Sequence, residues 1–235
     1  MILDEIIEEL KFAIKGKKLI NTCVGVSFTA SLINDGSLGI AHTVLDGDNS
    51  LAGDLMGMDL EEIVNSLKNN SIERSILLSI LNAVSDIPNP TEGDPLDTLE
   101  GGKLCVFGYS PKVDTTKFSS IVAYDFVANK EANLGKIIIK PFSSFSSEVC
   151  DSTVIFGSAL VNGTIDKIVK SISTNNLILE GISSVYAPKT LKNYGFSMIG
   201  KIVAIDKMKA FRIICEGGSP IKLSTYTKKI YVKIS

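Results

Sequence analysis

The segment Gly157-Ser158-Ala159-Leu160-Val161-Asn162-Gly163-Thr164 places small and polar residues between two apolar stretches. Before it lies Thr153 to Phe156, which reads as a buried strand. After it, Ile165 to Ile172 carries apolar residues at helical spacing. A strand, a glycine-bounded turn and a helix start leave backbone N–H groups open to a ligand. Ser158 and Asn162 would add side-chain hydrogen bonds. The competing reading is a plain strand-to-helix turn in which Asn162 or Thr164 caps the helix. No lysine precedes Thr164 and the glycine spacing differs, so this is neither a Walker A loop nor G-x-G-x-x-G.

Other residues able to do chemistry are scattered. His42 is the single histidine, so a histidine-rich zinc site is excluded within one chain. It reads either as a base or ligand, or as a solvent-facing strand residue. Cys23, Cys105, Cys150 and Cys215 form no C-x-x-C pair. Cys23, Cys105 and Cys215 sit in apolar runs and read as reduced core thiols. Cys150, near Glu148 and beside Asp151, reads as the exposed thiol, blunted by those carboxylates. Asp206 follows one predicted strand and precedes a helix; it reads as an N-cap or a cleft carboxylate. Glu216, before Gly217-Gly218, reads as a cleft carboxylate or a surface residue. Tyr109 could stack on a planar ligand or cover the sheet edge. Asp46-Gly47-Asp48-Asn49 opens like a calcium loop but lacks its glycine and closing glutamate, and reads as a turn.

These residues need elements to hold them. Leu3, Ile6, Ile7 and Leu10 recur on one face of an opening amphipathic helix. Two strand-like runs follow, Asn21 to Leu32 and Ser37 to Leu45, joined by the hairpin signal Asn34-Asp35-Gly36. Asp59 caps a predicted helix over Leu60 to Leu67, with Glu62 at the capping-box position. Ser71 and Arg74 start another over Ile72 to Val84. This α+β pattern spans about 1–87. Asp86 to Pro95 carries three prolines and a glycine, so 88–99 reads as an exposed linker. From about 100 to 235, short apolar strands alternate with helical patterns, which argues for a Rossmann-like parallel sheet. Its predicted strands are Leu104–Gly108, Ile121–Phe126, Thr153–Phe156, Leu177–Leu179, Lys201–Ile205 and Ile230–Ile234. Its helices are Thr164–Ile172, Pro188–Tyr194 and Lys207–Cys215. Ligands of such sheets bind beyond the carboxyl ends of the strands. Three of those ends, at Gly108-Tyr109, Gly157-Ser158 and Gly181-Ile182-Ser183-Ser184, begin with glycine.

Composition narrows the function classes. The chain has 235 residues, enough to bury about 70% of the surface of its unfolded form. With 24 basic and 26 acidic residues and a net charge of −2, no basic patch dominates, which argues against a nucleic-acid partner. Arg74 and Arg212 are the only arginines, so bidentate clamps on phosphate or carboxylate are scarce. The acidic start is unlike a signal peptide, and no apolar run reaches membrane-spanning length; a cytoplasmic protein is the expectation.

Several pieces together resemble the putative heavy-metal chelation family, a domain of unknown function paired with an amino-terminal companion. They are Val24-Gly25-Val26-Ser27-Phe28-Thr29-Ala30, Gly39-Ile40-Ala41, Leu51-Ala52-Gly53-Asp54-Leu55 and Ile80-Leu81-Asn82-Ala83 in the first half. In the second they are Val106-Phe107-Gly108-Tyr109, Gly157 to Thr164 and Glu216-Gly217-Gly218. The resemblance implies an enolase-N-terminal-like α+β domain, then a Rossmann-like domain, with the site in the cleft between them. The family carries Gly-Pro-Ser after the fourth strand, where this chain has Ile182 in place of the proline.

The expected function is binding of a small molecule or metal complex in that cleft. The candidate contacts are Gly108, Tyr109, Gly157, Ser158, Asn162, Thr164, Ser183, Asp206 and Glu216. No cofactor follows from the residues, though a divalent metal held through oxygen stays open, and no reaction class is indicated. The alternative is a non-catalytic scaffold or interaction module acting as an oligomer, for instance a homodimer.

Overall fold

A computed structural model describes residues 1–108 and 113–234. The opening helix α1 (Ile2–Ile14) buries Ile2, Leu3, Ile6, Ile7, Leu10 and Ile14, the face its spacing predicts. Three strands follow: β1 (Leu19–Val24), β2 (Phe28–Ile33) and β3 (Leu38–His42), paired antiparallel in that order. The run expected to be one strand from Asn21 to Leu32 is therefore two. It breaks at Gly25, whose N–H donates to the Phe28 carbonyl at 2.9 Å. A Cβ at Gly25 would stand 2.3 Å from the Ile214 carbonyl oxygen, so packing against a distant helix selects the glycine and bends the chain there. The hairpin at Asn34-Asp35-Gly36 forms as expected, with Gly36 at φ 81°.

Helix α2 (Leu60–Ser66) starts after Asp59, but that carboxylate pairs with Lys18 and makes no cap hydrogen bond. Helix α3 (Ser71–Val84) is capped by Asn70, whose side chain accepts from the Glu73 N–H at 3.0 Å. It is buried nearly all round because it is sandwiched between β2, β3 and the rest of the molecule. Gly39 lets α3 lie directly on β3: a Cβ there would be 1.9 Å from the Ser79 carbonyl oxygen.

The expected linker is only partly free. Residues 88–92 are exposed, yet Pro95, Leu96 and Leu99 are buried, because the segment folds back over the large sheet. Within it β4 (Thr91–Glu92) adds an edge strand.

The large sheet holds β5 (Lys103–Phe107), β6 (Ser120–Asp125), β7 (Ala132–Leu134), β8 (Ile137–Pro141), β9 (Glu148–Phe156), β10 (Ile172–Glu180), β11 (Phe196–Ala204) and β12 (Thr227–Lys233). Its order is β4-β12-β11-β10-β9-β5-β6-β8-β7. The six strands from β11 to β8 run parallel, β12 and β7 run antiparallel to them at the two sides, and β4 pairs antiparallel with β12. Numbered in chain order, the parallel strands lie 6-5-4-1-2-3, the doubly wound arrangement whose strand order reverses between its first and fourth strands, here β5 and β9. Helices α5 (Ile165–Ser171), α6 (Pro188–Asn193) and α7 (Lys207–Cys215) match the spacing. Two short helices, α4 (Ser158–Val161) and α8 (Pro220–Ser224), and the β7–β8 hairpin were not legible, being too short to establish a period.

Alternation on β5 shows how the sheet is buried. Cys105 and Phe107 join a core that also contains α1, α2 and α3, while Leu104 and Val106 join a second core under Leu96 and Leu99. The first core runs without interruption from the amino-terminal helices into the large sheet. Among the described residues, no helix is long and apolar enough to cross a membrane.

Candidate functional site

A cavity of 720 Å³ opens at the carboxyl ends of β5, β6, β9 and β10, around the point where the strand order reverses. Gly108, Asp125, Phe126, Phe156, Gly157, Ser158, Asn162, Gly181 and Ser183 border it from the sheet side, and His42, Thr43, Val44 and Asp46 from the amino-terminal side.

Backbone contacts set its shape. A Cβ on Gly157 would lie 2.4 Å from the Ser183 carbonyl carbon and the Ser184 nitrogen, so the turns after β9 and β10 touch main chain to main chain. The Gly157 N–H donates to the Glu180 carbonyl at 2.7 Å. Gly108 (φ 95°) and Gly181 (φ 106°) flank the Phe156 ring, where either Cβ would stand 3.1 Å from a ring carbon. The roof is tied to this floor by two bonds. The His42 N–H donates to Ser183 Oγ at 2.7 Å. The Asn82 amide, buried in α3, donates to the Ile40 carbonyl at 2.9 Å and to the Ile182 carbonyl at 3.0 Å. The loop with Ile182 in the proline's place closes as a turn, the Ser184 N–H donating to the Gly181 carbonyl at 3.1 Å. Arg74 donates to the Val161 and Lys68 carbonyls and to Ser71 Oγ, anchoring α3 to α4.

Of the sequence-predicted contacts, Gly108, Gly157, Ser158, Asn162 and Ser183 border this cavity. Tyr109 lies outside the described residues. Neither Asn162 nor Thr164 makes a side-chain cap bond to α5; Asn162 instead closes a local turn, its Oδ1 accepting from the Thr164 N–H at 3.2 Å and from the Thr164 hydroxyl at 2.7 Å. Thr164 thereby turns into the helix start and does not border the cavity. Asp206 is exposed and caps α7, accepting from the Lys209 N–H at 2.9 Å. Glu216 is exposed at the other end of that helix. Neither borders the cavity: α7 packs against β1 and β2, which carries both of its ends away.

Three groups with chemistry were not among those predicted contacts. Asp125 ends β6, with its Oδ1 accepting from the Val127 N–H at 2.7 Å. The strand-end rule applied to Gly108 and Gly157 would have found it. Asp46 lies in the bend after β3, and its carbonyl reaches the start of α3, accepting from the N–H groups of Ser71 and Ile72. His42 borders the cavity, and desolvation by its surroundings pushes the imidazole below its ordinary pKa. It is therefore neutral at pH 7 and able to accept a proton or a metal. Among the described residues bordering the cavity there is no lysine or arginine, so its charged groups are carboxylates.

The cysteines differ from expectation. Cys150 is buried and forms a disulfide with Cys105, because both side chains enter the same core from adjoining strands. Cys215 is exposed at the end of α7; burial and its hydrogen bond to Cys23 push its thiol up to about 12. Cys105, Cys150 and Glu148 are the one trio of metal-ligand side chains among the described residues whose ligand atoms lie within 4.8 Å of one another. His42, Asp46 and Asp125 are more widely spread than that.

Two family models, both described as putative heavy-metal chelation, match residues 7–85 and 93–233; the second, DUF364, takes in more than half of the sequence. The chain belongs to the DUF364 family. A DUF364 protein of unknown function from Desulfitobacterium hafniense DCB-2 superposes with a TM-score of 0.76 at 19% identity, over 98% of this chain and 99% of that one. Another, from Pyrococcus horikoshii, gives 0.76 at 17% identity over 100% of both chains. The α/β fold is thus shared across the DUF364 family at low identity. No curated protein matches the sequence significantly.

Proposed function

We propose that this DUF364 protein binds a small cationic ligand, foremost a divalent metal already held by a chelating metabolite, in the cavity at the β5–β9 reversal. The observation that carries the reading is the presence of Asp46 and Asp125 on one cavity whose described lining holds no lysine or arginine; Arg74, behind Ser71, offsets part of the Asp46 charge and leaves Asp125 the freer carboxylate. Carboxylates so placed favour a cation. The volume of 720 Å³ suits a metabolite rather than a bare ion. The spread of His42, Asp46 and Asp125 argues the same way: without three close donors, the ion must bring its own ligands. Hydroxyls of Ser158, Thr43 and Ser183 would then orient the chelating molecule. The family description points to chelation without naming a ligand.

Isothermal titration with zinc and nickel complexes of histidine and of ethylenediamine, against the free ions and free chelators, tests this. The complexes are expected to bind, and Asp46→Asn and Asp125→Asn each to weaken them tenfold or more, as loss of a charged contact of about 1.5–3 kcal/mol requires. Undiminished affinity in the double variant would overturn the reading.

A further inference from the structure

The trio away from this cavity is, among the described residues, the one group of three potential metal ligands brought close together. Cys105 lies on β5, Cys150 and Glu148 on the adjoining β9, and their ligand atoms fall within 4.8 Å of one another. Glu148 is held by two partners: the Tyr124 hydroxyl donates to its Oε1 at 2.7 Å, and the Lys103 ammonium to its Oε2 at 2.5 Å. Those two bonds fix the carboxylate's position beside the cysteine sulfurs, as second partners of a metal-ligating carboxylate do.

We propose that Cys105, Cys150 and Glu148 form a thiol-gated site for one soft divalent cation of the zinc or cadmium type, closed as the disulfide and opened by reduction. Opening takes two electrons from a thiol reductant. The Cys105–Cys150 bond breaks, two reductant thiols become a disulfide, and their protons pass to the two cysteine sulfurs. Metal uptake then releases both cysteine protons to solvent as two sulfur–metal bonds form and Glu148 supplies an oxygen. Two thiolates on zinc stand about 3.8 Å apart at metal–sulfur distances of about 2.3 Å. The Cα separation of 6.0 Å lets side-chain rotation open that gap.

Charge and burial favour the cation. The two thiolates and Glu148 carry three negative charges, which a divalent ion and the Lys103 ammonium neutralise together. Besides pairing with Lys103 and Tyr124, the Glu148 carboxylate faces the two cysteine sulfurs. That carboxylate opposes thiolate formation, a cost that a bound cation removes. Strands β5 and β9 are already joined by their own ladder, so the bridge is not needed to pair them.

Cadmium is the probe, because thiolate ligation gives it a charge-transfer absorption. The whole chain is reduced with a phosphine, desalted without oxygen, titrated with Cd²⁺ and weighed by native mass spectrometry. One cadmium per reduced chain and none on the oxidised chain is expected. Cys105→Ser and Cys150→Ala are expected to abolish both the band and the bound mass, and Glu148→Gln to weaken binding tenfold or more. The double variant Cys23→Ser/Cys215→Ser, which removes the other neighbouring thiol pair, is expected to keep both. Equal loading of the oxidised chain, or loading that survives Cys105→Ser, overturns the proposal. Should a core cysteine variant fail to fold, alkylation of the reduced wild-type chain decides. Cadmium protection mapped to Cys105 and Cys150 supports the site, and protection mapped to Cys23 and Cys215 overturns it.

Discussion

At the scale of single residues, the cavity depends on groups whose role is set by what their backbone touches. Gly157 is not there for unusual dihedrals, since its φ is −57°. It is there because the neighbouring turn leaves no room for a Cβ. Gly157→Ala is expected to cost about 1–3 kcal/mol by overpacking and to spread the turns after β9 and β10. Urea denaturation would show the lowered midpoint, and ligand titration the weakened cavity. Glu180, one residue before Gly181, gives a pH signature. Burial raises its carboxyl to about 7 despite the attraction of Lys229, and the nearby Asp94 adds to the rise. Between the ordinary glutamate value of 4.5 and about 7, the folded chain then binds a proton that the unfolded chain has lost. Stability is therefore fully kept below that window and falls as pH rises through it, by up to about 3 kcal/mol. Chemical denaturation at stepped pH should show this decline in the wild type and its loss in Glu180→Gln. A flat wild-type profile would contradict the assignment.

At the scale of elements, α3 is the beam that holds roof to floor. Its Asn82 amide joins the last strand of the small sheet to the turn after β10, and its Arg74 reaches α4. Asn82→Leu would leave the Ile40 and Ile182 carbonyls without this donor, at about 1–3 kcal/mol for each that stays dry. The expected outcome is a clear loss of stability in thermal unfolding and a weaker cavity. The conservative Asn82→Gln should recover less than half, because the longer side chain cannot meet both carbonyls. The buried Lys201 closes the carboxyl end of α3 beside Asn82. Its ammonium donates to the Ser85 carbonyl and hydroxyl, and burial lowers it to about 8. Lys201→Met leaves the Asn82 and Ser85 carbonyls without this donor and is expected to lower the midpoint of thermal unfolding and to speed hydrogen exchange at the carboxyl end of α3.

At the scale of the whole molecule, much of the architecture could be read from periodicity. The long amphipathic helix, the Asn34–Gly36 hairpin and the strand–helix alternation all carry their signal locally. What escaped was set by distant contacts. Gly25 splits a strand because Ile214 presses on it, and residues 95–99 are buried because they cover the sheet. The Cys105–Cys150 bridge joins residues 45 positions apart that become neighbours only when β9 lies beside β5. The cavity was legible at its glycine-led strand ends but not at its charges. Asp206 and Glu216 had the right chemistry on the wrong side of the molecule, while Asp46 was read as a plain turn and Asp125 passed unremarked.

The central claim concerns what that acidic cavity receives. The most direct test is anomalous diffraction at the nickel edge, from crystals of the full chain grown with the nickel–histidine complex. The account predicts a peak inside the cavity, bordered by Asp46 and Asp125, with density for the chelator reaching Ser158 and Ser183. An empty cavity at saturating complex, or nickel confined to surface positions, would contradict it.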